Sequence, residues 1–313
     1  MPKGHFTQST TVLFEHAPSL DVLAAALGGF TIARRMEDPG PPWMGGPSLL
    51  IPMRPEVNGY VLIDIVPQPW PDRMGDPKQH VDLFGAWALG WFGPFVYPGN
   101  LMRAKAMSFG WRGAKEVAER HTSFVRIKAS YVLGASNQAQ VLPADYAPLP
   151  ELQLVTELAR AVMKAPHALA YFNPNGEVLR SPEGLDEDLT WCREHDLPPL
   201  PVWANVRMFA IDELPGWSLM DTVGMEQLDV QDHEACFQTG KYKPQEVDKF
   251  LRNSTLYVLN EGRTINDGDT MDGPGGIPWQ AFAFEESLTP RNRPTLRWLP
   301  LDGTRAPPPV GPK

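Results

Sequence analysis

The chain has 313 residues, 42% of them hydrophobic, a formal net charge of −9 and a sequence pI near 5.3. That length supports two ordinary domains or one large one, and its short, charge-broken apolar runs exclude a membrane-spanning helix of roughly 20 residues. Met1 to Ser9 holds no apolar signal core, and Cys192 and Cys236 alone make neither a disulfide framework nor a zinc site, so a cytoplasmic protein with two reduced core thiols is expected.

Thr10 to Phe14 is an apolar, β-branched run suited to a buried strand, and Ser19 is placed to cap a helix carrying Leu20, Leu23, Ala24 and Leu27. Gly28-Gly29 ends that helix, and Phe30 to Arg34 resumes an extended pattern. Ser48 to Met53 and Tyr60 to Val66, separated by Pro55 and Asn58-Gly59, predict an antiparallel hairpin. Asp82 to Trp111 is crowded with aromatic residues, which the acidic pI assigns to core packing or protein contact rather than to a nucleic-acid platform.

The order strand, helix, strand then returns. Ser123 to Tyr131 reads as a strand, Leu152, Val155, Ala159 and Val162 as one face of a helix, and Ala168 to Phe172 as the returning strand. Leu185, Leu189 and Cys192 suggest a short helix, Val202 to Ile211 a long strand, and Pro244 the start of a helix with Val247, Phe250 and Leu251 on one side. Trp279 to Phe284 and Leu296 to Leu301 close the C-terminal sheet. The fold class expected is α+β, as two related αβ halves over residues 1–115 and 116–305, each a mostly antiparallel sheet with packed helices. A disordered proline-rich tail over 306–313 completes the chain.

Charge is unevenly spread. Glu183 to Glu234 contains thirteen acidic residues against Arg193 and Arg207, a net −11 in 52 residues, while the remainder sums to +2. A localised negative field of this kind favours a basic partner. Asp229, Asp232, His233 and Glu234 fall within six residues and could be imagined around a divalent metal, but neighbouring strand residues point to opposite faces, so proximity in sequence does not build a site. Asp267 to Gly273 starts like a calcium loop and then fails, with Met271, Asp272 and Pro278 at positions that need a ligand, a glycine and a glutamate. Nucleotide-binding turns and nucleophile elbows do not occur, and no two histidines stand at i, i+4. No catalytic residue, metal ligand or cofactor is assigned.

Through His121-Thr-Ser-Phe-Val-Arg-Ile127, the helix from Leu152, and Trp203-Ala-Asn-Val-Arg207 before Asp221-Thr-Val-Gly-Met225, the chain resembles the bacterial family filed as domain of unknown function 4261, from Thr10 to Phe237. The resemblance brings no catalytic residues, and it implies a place in toxin and immunity gene neighbourhoods, including those of type VI secretion. Joined to the charge pattern, it gives the expectation of an immunity protein that binds and neutralises a cognate, basic toxin such as a secreted nuclease. Contacts are expected from Asp221, Glu226, Asp229, Asp232 and Glu234, with Trp203 and Trp217 as apolar anchors. Direct nucleic-acid or membrane binding is not expected. The alternatives are a metal-dependent hydrolase using Asp229, Asp232, His233 and Glu234, or a non-catalytic adaptor of a secretion system.

Overall fold

The computed structural model describes residues 3–38, 40–133, 141–211, 214–262, 264–289, 291–308 and 310–311. The chain divides into two units, Met1–Trp203 and Ala204–Lys313. Both are α+β, with largely antiparallel sheets packed against helices.

In the N-terminal unit β1 (Gln8–Phe14) leads into α1 (Leu20–Ala26), whose first turn is capped by Ser19 Oγ accepting from the Val22 amide at 3.3 Å. β2 (Arg34–Met36), β3 (Ser48–Arg54) and β4 (Gly59–Val66) follow, the hairpin turning through Asn58 at φ 60°, a left-handed conformation that asparagine tolerates. Then come α2 (Val81–Ala88), α3 (Asn100–Met107), α4 (Ala114–Arg120) and β5 (Ser123–Ser130). The unit ends with α5 (Pro148–Val162), β6 (Ala168–Asn173), β7 (Val178–Arg180), α6 (Pro182–Glu194) and α7 (Leu200–Trp203). Its sheet order is β2-β3-β4-β5-β1-β6-β7.

This order locates the sequence echo. β1 and β5 pair antiparallel at the centre, with β4 beside β5 and β6 beside β1, so the two strand-helix-strand segments complete one sheet. A boundary at 115/116 is therefore corrected: β5 is hydrogen-bonded between β4 and β1, and a cut there would open both ladders. From the aromatic run Trp87 and Phe92 enter the core, where Trp70 packs edge-on against them and against Phe124 and Phe172, while Tyr97 and Phe109 stay exposed. Two strand boundaries also move. The early return strand is Arg34–Met36, and the expected strand from Val202 begins only at Asn205, because Pro198, Pro199 and Pro201 fix φ values that start a helical turn over Leu200–Trp203.

The C-terminal unit comprises β8 (Asn205–Ala210), β9 (Trp217–Val223), β10 (Asp232–Gln238), α8 (Pro244–Glu261), β11 (Thr270–Gly273), β12 (Ile277–Phe284) and β13 (Thr295–Pro300). Its order is β11-β12-β13-β10-β9-β8, with β10 and β13 parallel and the rest antiparallel. Val247, Phe250 and Leu251 of α8 cover one face, joining Ala235, Phe237, Trp279 and Trp298.

The opposite face overturns the expected loose tail at its described residues. Val310 is fully buried against Leu219, Cys236 and Leu299, and its carbonyl accepts from Arg297 Nη1 at 3.2 Å. Proline richness concealed one docking valine. Deleting residues 306–313 should therefore lower stability by roughly 1–3 kcal/mol, the cost of uncovering an apolar patch and losing that hydrogen bond. An unchanged melting temperature of the truncated chain would remove the tail from the core.

Candidate functional site

Strand register decides where the acidic segment goes. Arg207 stands opposite Asp221, Asp221 opposite Glu234, and Glu234 beside Arg297, so one charged row, two neighbouring carboxylates between two arginines, crosses β8, β9, β10 and β13. Asp232 lies two residues before Glu234 on the same face. Arg293, from the segment preceding β13, reaches into this row, with Nε 2.9 Å from Asp232 Oδ2 and Nη2 2.8 Å from Asp221 Oδ2. Thr289 Oγ1 donates to Asp221 at 2.8 Å, Thr222 Oγ1 to Asp232 at 3.0 Å, and the Leu288 amide to Glu234 at 2.7 Å. Arg297 Nε donates to Glu234 at 2.9 Å.

All of these charged side chains are buried. Burial alone would push the Asp221 carboxyl up, yet Arg207 and Arg293 hold it below the ordinary carboxylate range. Burial dominates at Glu234 and pushes its carboxyl up despite Arg297. The network is balanced: Arg207, Arg293 and Arg297 match Asp221, Asp232 and Glu234.

Most of the expected contact residues are thereby corrected. Asp221, Asp232 and Glu234 are inside, neutralised by arginines distant in sequence. Trp203 is also buried, donating from Nε1 to Thr156 Oγ1 at 2.8 Å, and cannot anchor a partner. Trp217 is half-buried beside the cluster around Leu219 and Cys236. Glu226 is held by Arg291. Asp229 alone of the acidic five is exposed, in a left-handed turn after Leu228. The four residues of the hydrolase alternative do not converge either: His233 faces α8, its Nδ1 accepting from Trp298 Nε1 at 3.1 Å, and burial lowers its pKa to about 4.

Among the described residues of the acidic segment, the exposed carboxylates other than Asp229 gather on α6 and at Asp196 just past its end. Leu185, Leu189 and Cys192 bury one side of that helix. On the other side Glu183, Glu187, Trp191 and Glu194 follow one another at i, i+4, i+8 and i+11, which stacks them along one stripe. Asp186 and Asp188 are tied to Arg160 and Arg180, at 2.5 and 2.7 Å. Glu183, Glu187, Glu194 and Asp196 are exposed and have no ion-pair partner among the described residues. Trp191 is 50% exposed, its indole lying on the His195 ring with centroids 4.4 Å apart. The signal was present in the sequence as acidic residues at helical spacing around a tryptophan, but net charge over the longer segment masked it.

The N-terminal unit carries its own buried charge. Asp64 on β4 accepts from Arg126 on β5, with Nε at 3.1–3.2 Å, and from Lys128 Nζ at 3.2 Å. Phe6 and Trp91 flank the ammonium, with centroids at 4.5 and 4.9 Å. One carboxylate thus faces two cations, and desolvation with the Arg126 charge brings the Lys128 amine down to about 7. A cleft of about 540 Å³ opens beside Asp64, lined also by Met36, Met44, Leu50, Leu62 and Trp91. His121 is structural, accepting at Nε2 from the Trp70 amide at 2.8 Å and lying 2.8 Å from the Ala118 carbonyl through Nδ1. Both cysteines are free and buried. Among the described residues no helix is long and apolar enough to cross a membrane.

Residues 221–299 match the model of the family described as Domain of unknown function (DUF4261), and over that span the chain resembles the family. The match begins at Asp221-Thr-Val-Gly-Met225 and continues through β13, so it contains Asp221, Asp232, Glu234, Arg293 and Arg297 of the buried network. His121 to Ile127, the helix from Leu152 and Trp203 to Arg207 lie outside it. No curated protein and no solved structure matches the chain.

Proposed function

We propose that this protein is a non-catalytic binding protein that engages a basic protein partner through the exposed stripe of α6, and that its role is that of an immunity protein neutralising a cognate bacterial toxin in the cytoplasm. The observation supporting this reading is Trp191, half exposed among the unpaired carboxylates of Glu183, Glu187, Glu194 and Asp196. An aromatic centre with a charged surround suits a protein interface: the ring supplies desolvated area, and the carboxylates steer a basic surface toward it. A toxin that cuts nucleic acid needs a basic cleft, which such a stripe complements.

The test is purification of the tagged full chain from its native host, followed by expression of any stoichiometric partner alone and together with this chain. A partner that poisons cells alone and is harmless with the chain supports the immunity role, and a harmless partner indicates the adaptor instead. Trp191→Ala should weaken the complex about 30-fold or more, ~2 kcal/mol. Glu187→Lys with Glu194→Lys should slow association most at low salt, where surface charge is least screened. Binding that survives both changes would exclude α6 as the interface.

A further inference from the structure

We propose that Glu15, His16 and His167 form a site for a borderline divalent transition-metal cation such as Zn²⁺. Sheet pairing, rather than sequence spacing, brings the three together. Glu15 and His16 directly follow β1, and His167 directly precedes β6, its antiparallel neighbour. The Glu15 amide donates to the His167 carbonyl at 3.0 Å, extending the ladder by one bond. Thr122 fixes the other side of the same segment, its amide donating to the Phe14 carbonyl at 3.0 Å. Two anchored backbones therefore set the donors.

One ligand atom from each side chain lies within 4.8 Å of the other two. Glu15 Oε2 is 3.8 Å from His167 Nδ1, and the two imidazole rings have centroids 5.2 Å apart at 58°. Bonds of about 2.1 Å in a tetrahedral site place donors roughly 3.4 Å apart. The remaining closure requires only side-chain rotation, which solvent-exposed rings permit: His16 is exposed and the His167 side chain is 56% exposed. Glu15 divides its two oxygens. Oε1 lies 3.6 Å from Arg120 Nε, which orients the carboxylate, while Oε2 turns to the histidines. Arg120 is itself paired with Glu116 at 3.2 Å, so Glu15, Arg120 and Glu116 together carry a net charge of −1. Two imidazole nitrogens and one carboxylate oxygen favour zinc, nickel or copper over calcium or magnesium, and three protein ligands leave a coordination position open to solvent.

His167 sits at φ 66°, in the left-handed region that a histidine enters at a cost. Asparagine accepts the same backbone, so His167→Asn removes the ligand without disturbing the turn.

The experiment is calorimetric titration of the full-length, untagged, metal-stripped protein with Zn²⁺, repeated with Co²⁺ by visible absorption. One equivalent of Zn²⁺ should bind, and Co²⁺ should give the d–d bands of a site with nitrogen and oxygen ligands. His16→Ala and His167→Asn should each weaken Zn²⁺ at least tenfold, whereas His195→Asn, at the C-cap of α6 and outside this cluster, should leave it unchanged. Absence of a stoichiometric Zn²⁺ isotherm, or affinity unmoved by both His16→Ala and His167→Asn in proteins with wild-type circular dichroism, would overturn the proposal.

Discussion

Replacing Asp221 by asparagine is expected to destabilise the C-terminal unit by about 3–5 kcal/mol, the usual cost of removing one partner from a buried ionic group. The carboxylate accepts from Arg207, Arg293 and Thr289, all of them buried. Its loss leaves three buried cations facing two buried acids. Removing a matched pair should cost less: with Arg207→Met and Asp221→Leu together, Arg293 retains Asp232 and the network stays neutral. Denaturant unfolding, combined with hydrogen exchange over Trp217–Val223 and Asp232–Gln238, separates the two cases. A single variant costing under 1 kcal/mol, or a double variant costing more than the single, would show that charge balance does not govern this core. The pH dependence has a defined sign. Because the folded-state pKa of Asp221 is depressed, its stabilisation is present above the ordinary carboxylate pKa and is lost as acid approaches the folded value. Glu234, raised by burial, acts in the opposite sense, and Asp221→Asn should flatten only the first contribution.

That network also explains what the sequence could and could not disclose. Periodicity was sufficient for elements that bury one face: the helix marked by Leu152, Val155 and Ala159, the helix after Pro244, and the hairpin around Asn58 all form where their spacing placed them. The echo of strand, helix and strand was legible as order, but its geometry depended on β5 inserting between β4 and β1, a long-range pairing that no local window contains. The acidic segment misled for a related reason. Net charge counts carboxylates without knowing what stands across the ladder, and Arg297 lies 63 residues from the Glu234 it neutralises. Asp232 and Glu234 share one face of β10, with His233, Ala235 and Phe237 on the other, a pattern that strand periodicity reads as a solvated face. Only the register of β8, β9, β10 and β13 turns that face inward. On α6 the ambiguity does not arise, because Leu185, Leu189 and Cys192 fix the buried side and leave Glu187 and Trp191 outward.

In the N-terminal unit, raising the pH from about 7 toward about 10 should stabilise the protein through Lys128. A buried amine whose folded-state pKa falls to about 7 releases its proton well before the same lysine in the unfolded chain, near 10.4. Over that interval the unfolded state binds more protons, so stability rises with pH by at most about 1.4 kcal/mol per unit. Lys128→Met should abolish this rise. At neutral pH it should also leave stability equal or higher, since Met fills a similar volume and Asp64 then faces Arg126 one to one. Asp64→Asn is the opposite perturbation: it leaves Arg126 and Lys128 buried together and should cost about 3–5 kcal/mol. Cys192 and Cys236, whose thiols burial pushes up, oppose the trend in alkali because the unfolded chain loses those protons first. The informative quantity is accordingly the difference between wild type and Lys128→Met at each pH, measured by guanidinium unfolding. Parallel curves from pH 6 to 10 would mean that Lys128 stays charged in the fold, held by Asp64 and the faces of Phe6 and Trp91.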